Sequence, residues 1–188
     1  MRRVTAALLL TTMVGASVDA EPLSYDYAYL SRQQTHVNGE SFRNDAVGAY
    51  YEIGKNLHVF GSFGNAGVYG NPAWKNSRAV RGGAGGHWLL DEDTMIAVEG
   101  ALIRAQFDKP LVGTLRDTGG SAIVEVRHRF APWIEAIMSA SHTEVLGRRT
   151  NEVVAGPVFH LNRTFALGAF YRRVEGSSGF EVTARTYY

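Results

Sequence analysis

The sequence predicts an all-β protein. The fold is a transmembrane antiparallel up-and-down β-barrel of ten strands, with eight as the alternative count and both termini periplasmic. Three observations carry this. First, the last ten residues, 179–188, alternate strictly. Phe180, Val182, Ala184, Thr186 and Tyr188 fall on one face, and Glu181, Thr183, Arg185 and Tyr187 on the other. Second, segments of this kind recur along the chain, joined by links that alternate between long and short, as in outer-membrane barrels. Third, nothing after Ala20 reaches roughly 18 consecutive apolar residues, so a membrane form of this chain is a barrel.

The elements follow in order. Met1-Arg2-Arg3 is a basic start, Val4 to Gly15 is mostly apolar, and Val18-Asp19-Ala20 offers small side chains for a cut. Residues 1–20 read as a cleaved signal peptide, which leaves 21–188 as one barrel domain. The signal removes two Arg and one Asp, so the mature chain has 17 basic and 17 acidic residues. Zero net charge argues against nucleic acid as a partner. With no cysteine, disulfides and thiolate metal sites are excluded.

Ten alternating segments are predicted, at 23–31, 45–53, 57–64, 77–88, 94–107, 119–130, 133–142, 151–160, 164–173 and 179–188. The connections 32–44, 65–76, 107–118 and 143–150 read as long external loops; those at 54–56, 89–93, 131–132 and 161–163 read as short turns. Strands of this length barely cross a bilayer and leave no tall extracellular extension.

Alternation also fits a soluble barrel with its apolar face inward. The apolar face here mixes branched residues with many Ala and Gly, which suits lipid and fills a soluble core poorly. Aromatic residues gather at strand ends in two girdles. Trp88, Phe130, Trp133, Phe159, Phe165 and Tyr188 fall near the short turns, and Tyr29, Phe63, Phe107 and Tyr171 near the long loops. The polar face then lines the lumen. It carries Glu52, Glu99, Glu125, Glu135 and Glu181 with Arg81, Arg127, Arg172 and Arg185, a charge network expected to close it. Tyr50, Phe60 and Phe170 add bulk there.

The ending Phe180, Val182, Ala184, Thr186, Tyr188 resembles the C-terminal signal read by the barrel assembly machinery. The chain also resembles the small outer-membrane barrels of proteobacteria linked to diffusible-signal quorum sensing. The matching residues are Leu23-Ser24-Tyr25-Asp26-Tyr27, Leu57-His58-Val59-Phe60-Gly61, Arg81-Gly82-Gly83-Ala84-Gly85 and Ala131-Pro132. That resemblance implies an association with signalling and virulence. The family's loops are acidic, whereas Arg32, Arg43, Lys75, Arg148 and Arg149 occupy these.

No catalytic, cofactor or metal site is predicted. No histidine is followed two residues later by serine, as a His-x-Ser lipid A deacylase needs. His58, His87, His128 and His160 come from different strands and read as amphipathic interface residues. Ser141-His142-Thr143-Glu144 reads as an interfacial rim. The strand-four glycines lack the Lys-Ser/Thr of a phosphate loop and read as permitting close approach of neighbours.

The function expected is a non-enzymatic, monomeric outer-membrane barrel with a filled lumen. It presents its loops for surface interaction or envelope integrity. A narrow passive porin-like channel is the alternative. Outer-membrane lipid and lipopolysaccharide are the expected partners, with Arg148, Arg149, Arg172 and Arg173 as candidate phosphate contacts. The sequence names no extracellular partner.

Overall fold

The computed structural model describes residues 23–37, 40–64, 78–109, 113–145, 147–175 and 177–188. The predicted signal peptide and the whole of the predicted 65–76 connection lie outside the described residues.

Ten strands form one closed antiparallel sheet: β1 (Tyr27–Val37), β2 (Glu40–Glu52), β3 (Leu57–Gly64), β4 (Arg78–Leu89), β5 (Thr94–Lys109), β6 (Gly113–Ala131), β7 (Ile134–Val145), β8 (Arg148–His160), β9 (Phe165–Val174) and β10 (Ser177–Tyr187). Each strand pairs with its neighbours in sequence, and β1 closes the ring against β10 with Tyr27 opposite Tyr187. Closure leaves no edge, so every backbone donor and acceptor along the seam can find a partner.

The pleat sorts the side chains into two faces. Leu30, Val47, Val59, Val98, Leu102, Met138, Leu167 and Val182 point outward and are exposed. Glu99, Arg127, Glu135 and Arg185 point inward and are buried. A barrel with its apolar face outward and its charges inside is inside-out relative to water. That rules out the soluble reading, because the outward band would be a large exposed apolar surface.

The girdle at the short-turn end contains Trp88, Phe130, Trp133, Phe159, Phe165 and Tyr188, all exposed on the outer face. At the other end Phe63 and Tyr171 point outward. Tyr29 does not. It shares the inward parity of Tyr27, and its ring lies across Gly48, where a Cβ would fall 2.5 Å from the Tyr29 Cε1. The Phe107 side chain lies outside the described residues.

Three predicted long connections are mostly strand. Two residues separate β1 from β2, three separate β5 from β6, and two separate β7 from β8. The reason is physical. Above the lipid the outward face turns polar, as in the Arg32–Asp45 pair at 2.7 Å, while the backbone ladder continues. Apolar alternation marks a strand only where one face meets lipid or core. β6 reaches 19 residues, roughly 63 Å along the strand at about 3.3 Å per residue. Some 9–11 residues (roughly) suffice to cross a bilayer. The wall is therefore taller than expected, and the argument from strand length against an extracellular extension fails for β5 and β6.

Candidate functional site

The lumen is obstructed near the short-turn end. Ahead of β1, residues 23–26 turn into the barrel instead of extending the strand. Tyr25 there is fully buried. Its backbone N–H donates to a Glu52 carboxylate oxygen at 2.7 Å, and its hydroxyl donates to Glu125 at 2.9 Å. Its ring stacks on the His58 imidazole, and the Arg127 guanidinium carbon lies 4.0 Å from the ring centroid on a cation–π contact. Arg127 also donates to the Ser24 carbonyl at 3.3 Å and to the Tyr27 hydroxyl at 3.1 Å. One arginine thus ties the in-turned segment to β1 and β6.

An aromatic ladder spreads from this point. Tyr27, Tyr50 and Phe60 stand opposite one another on β1, β2 and β3. Their centroids are 4.9 Å and 5.1 Å apart in succession. Cross-strand aromatic pairs of this kind add to sheet pairing. The result is a floor of rings and charges across the lumen of a barrel whose strand count leaves little space.

The nine expected lumen charges all lie on the inward face, but they do not form one network. Arg127 pairs with Glu125 at 2.6 Å and lies 3.8 Å from Glu135. Arg172 pairs with Glu181 and, at 2.6 Å, with Glu152. Glu99 hydrogen-bonds His58 at 3.1 Å, and Glu52 lies 4.0 Å from His87. Arg81 and Arg185 lie over aromatic rings instead. Arg81 sits 5.1 Å from the Phe60 centroid, and Arg185 sits 4.8 Å from that of Tyr27. Their Nε atoms have no hydrogen-bond partner among the described residues.

Three of the four histidines near the short turns are lumenal, which corrects the interface reading. His58 and His87 are buried and share a 3.1 Å contact between their Nδ1 atoms, so one ring must donate to the other. His160 contacts Glu135 at 3.3 Å. His128 faces outward, edge-on to Phe130. Gly85 makes room for the His58–Glu99 contact. A Cβ there would come within 2.7 Å of His58 Nε2 and 2.8 Å of Glu99 Cγ. The strand-four glycines therefore give room to ring side chains, as their pattern predicts.

The residues that carry the floor and that sequence reasoning missed are Tyr25, Tyr27, His58, His87 and, higher up, Glu152. The signal was present in part. Leu23, Tyr25 and Tyr27 share a parity, but the chain leaves the strand at Asp26, and no local pattern announces that turn.

Above the floor the lumen is lined by small side chains, among them Ser31, Ala46, Ser62, Ala79, Ala101 and Ser139. The four arginines expected to converge on lipopolysaccharide do not. Arg172 points into the lumen, Arg149 pairs outward with Glu144 at 3.4 Å, and Arg173 stands opposite Val153, well below Arg149 on the outer face. The Arg148 side chain lies outside the described residues. Alternation separates Arg172 from Arg173, since adjacent residues of a strand cannot share a face.

An inside-out ten-stranded barrel with an obstructed lumen belongs to the class of small outer-membrane β-barrels in fold. Solved structures with this fold include the KdgM porin, at 7% identity over 85% of this chain and 99% of that one, with a TM-score of 0.52. An outer membrane channel from Pseudomonas putida F1 matches at 11% identity over 90% and 100%, with a TM-score of 0.57. At such identities the likeness is one of fold. No family model matches the sequence, and no curated protein does. The resemblance to the barrels linked to quorum sensing therefore stands on the quoted motifs alone.

Proposed function

We propose that the protein is a monomeric, non-enzymatic outer-membrane barrel, exported by a cleaved signal peptide and inserted by the barrel assembly machinery. Its termini and floor face the periplasm. Its lumen opens outward as a blind cup. It works through its outer wall and rim, in surface interaction or envelope integrity, and not by conduction. The observation that carries this is Tyr25, buried across the lumen and held by Glu52, Glu125, His58 and Arg127. An isolated buried ion costs several kcal/mol, and the lumenal arginines here meet carboxylates, or, for Arg81 and Arg185, aromatic faces.

The passive-channel alternative draws on the small side chains of the upper lumen and on neighbours whose names are porin and channel. Purified protein in a planar bilayer separates the two. The proposal expects no stable ohmic step. A reproducible open channel in most insertions overturns it in favour of the pore. The link to quorum sensing and virulence is carried by the resemblance, and is tested by whether expression follows the diffusible signal.

A further inference from the structure

We propose that Arg78, Arg104 and Arg116 form a site for the phosphate groups of lipopolysaccharide on the outward face of β4, β5 and β6. This rests on the outer-membrane reading and names one partner of the wall.

The register brings the three together. Arg78 on β4 and Arg116 on β6 both stand opposite Gln106 of β5, one from each side. Arg104 precedes Gln106 by two residues and shares its face, opposite Val80 and Thr118. All three arginines are exposed and point away from the lumen. Arg78 and Arg116 are two strand spacings apart, roughly 10 Å. Two arginine side chains close that gap onto one anionic headgroup.

Their height is that of a headgroup. The outward face of β5 runs Ile96, Val98, Gly100, Leu102 and then Arg104, with Leu102 71% exposed. Thr94 to Arg104 covers roughly 33 Å along the strand, or roughly 25 Å along the axis at a tilt of about 40°. That is about the thickness of the apolar band of such barrels. Arg104 thus stands where acyl chains end.

Their charge is uncommitted. Two other outward arginines are neutralised, Arg32 by Asp45 at 2.7 Å and Arg149 by Glu144 at 3.4 Å. Arg78, Arg104 and Arg116 have no carboxylate partner among the described residues. Guanidinium groups bind phosphate oxygens bidentately. One row further down, past the exposed Leu102, Ala84, Gly100 and Ala122 stand in one outward row across the same three strands. A Cβ at Gly100 would meet nothing within 4 Å. This shallow strip lets an acyl chain lie against the wall beneath the guanidinium groups.

The test uses the mature barrel folded in detergent and reads the midpoint of its heat-modifiable unfolding. Added lipopolysaccharide should raise the wild-type midpoint. The triple variant Arg78→Gln, Arg104→Gln, Arg116→Gln should lose most of that rise, with apparent affinity down about tenfold or more. Arg149→Gln with Arg173→Gln should keep it. Lipopolysaccharide stripped of its lipid A phosphates, and inorganic phosphate alone, should both leave the wild type unshifted. The proposal is overturned if the triple variant keeps the full rise, if the dephosphorylated lipid acts equally, or if free phosphate suffices. Should the triple variant fail to fold, Arg104→Gln alone is titrated, and wild-type affinity there overturns the site. Membrane fractionation of the wild type is scored separately, and its failure would sink the outer-membrane reading instead.

Discussion

The Tyr25 ring lies face to face with the His58 imidazole, with centroids 4.0 Å apart and planes 5° from parallel. Tyr25 belongs to the in-turned segment ahead of β1, and His58 to the second residue of β3. The contact therefore joins the start of the described chain to the barrel wall across the lumen. The proposed closure is then a property of one side chain as much as of the strand count.

Replacing that side chain tests this. Tyr25→Ala removes the stack, the hydrogen bond to Glu125 and the face under Arg127. It should cost about 3–5 kcal/mol, the range for a buried aromatic truncation. It should also admit small solutes in liposome swelling or give step conductance in a bilayer. A variant that folds, is destabilised and stays as impermeable as the wild type would show that the remaining floor closes the lumen without Tyr25.

Glycine positions on the two faces should respond oppositely. Gly85→Val places atoms on His58 and Glu99 inside the floor, and overpacking of this kind costs about 1–3 kcal/mol. Gly100→Ala faces outward into open space and should be neutral or slightly stabilising. Unfolding midpoints of the two variants in detergent check the contrast. Equal losses would mean that Gly85 is not there to admit the His58–Glu99 contact.

The Arg172 cluster makes a third test. Arg172→Met would leave Glu152 and Glu181 facing one another without their shared cation. Breaking such a pair costs about 3–5 kcal/mol when both partners are well buried, and less here because these side chains are partly exposed. Glu152→Gln should cost less than Arg172→Met, and the double variant less than the sum. Additive losses in a double-mutant cycle would dissolve the cluster.

Closure of the ring predicts the effect of changing its last residues. The Tyr188 hydroxyl donates to the Tyr50 carbonyl at 2.6 Å, and the Tyr188 N–H to the Asp26 carbonyl at 3.3 Å. Deleting Tyr187 and Tyr188, or making Tyr188→Asp, should abolish the heat-modifiable folded band and its recovery in outer-membrane fractions. Normal accumulation of either variant would refute an assembly role for this ending.

Much of this barrel was legible in the residues. Period-two alternation placed Phe180, Val182 and Ala184 outside and Glu181 and Arg185 inside, because each residue of a strand reverses the last. Ten such segments, the outer aromatic ring at the short turns and the inward parity of all nine lumen charges follow from the same rule. That rule works wherever lipid or lumen makes one face unlike the other. It stops where both faces are polar, which is why β1, β2, β6 and β8 run several residues beyond their predicted ends.

The tertiary structure alone decided which inward groups meet. Glu152 joins Arg172, His58 joins Tyr25, and Arg81 lies on Phe60 with no carboxylate partner among the described residues, although the residues of each pair lie on different strands or on the in-turned segment. Such pairings depend on the register of every intervening strand and on the tilt that carries distant residues to one height. Arg78, Arg104 and Arg116 are separated in sequence and become one surface only through Gln106 between them. A local pattern determines the face on which a side chain stands. Its partners are determined by how the sheet closes, which no single stretch of the chain contains.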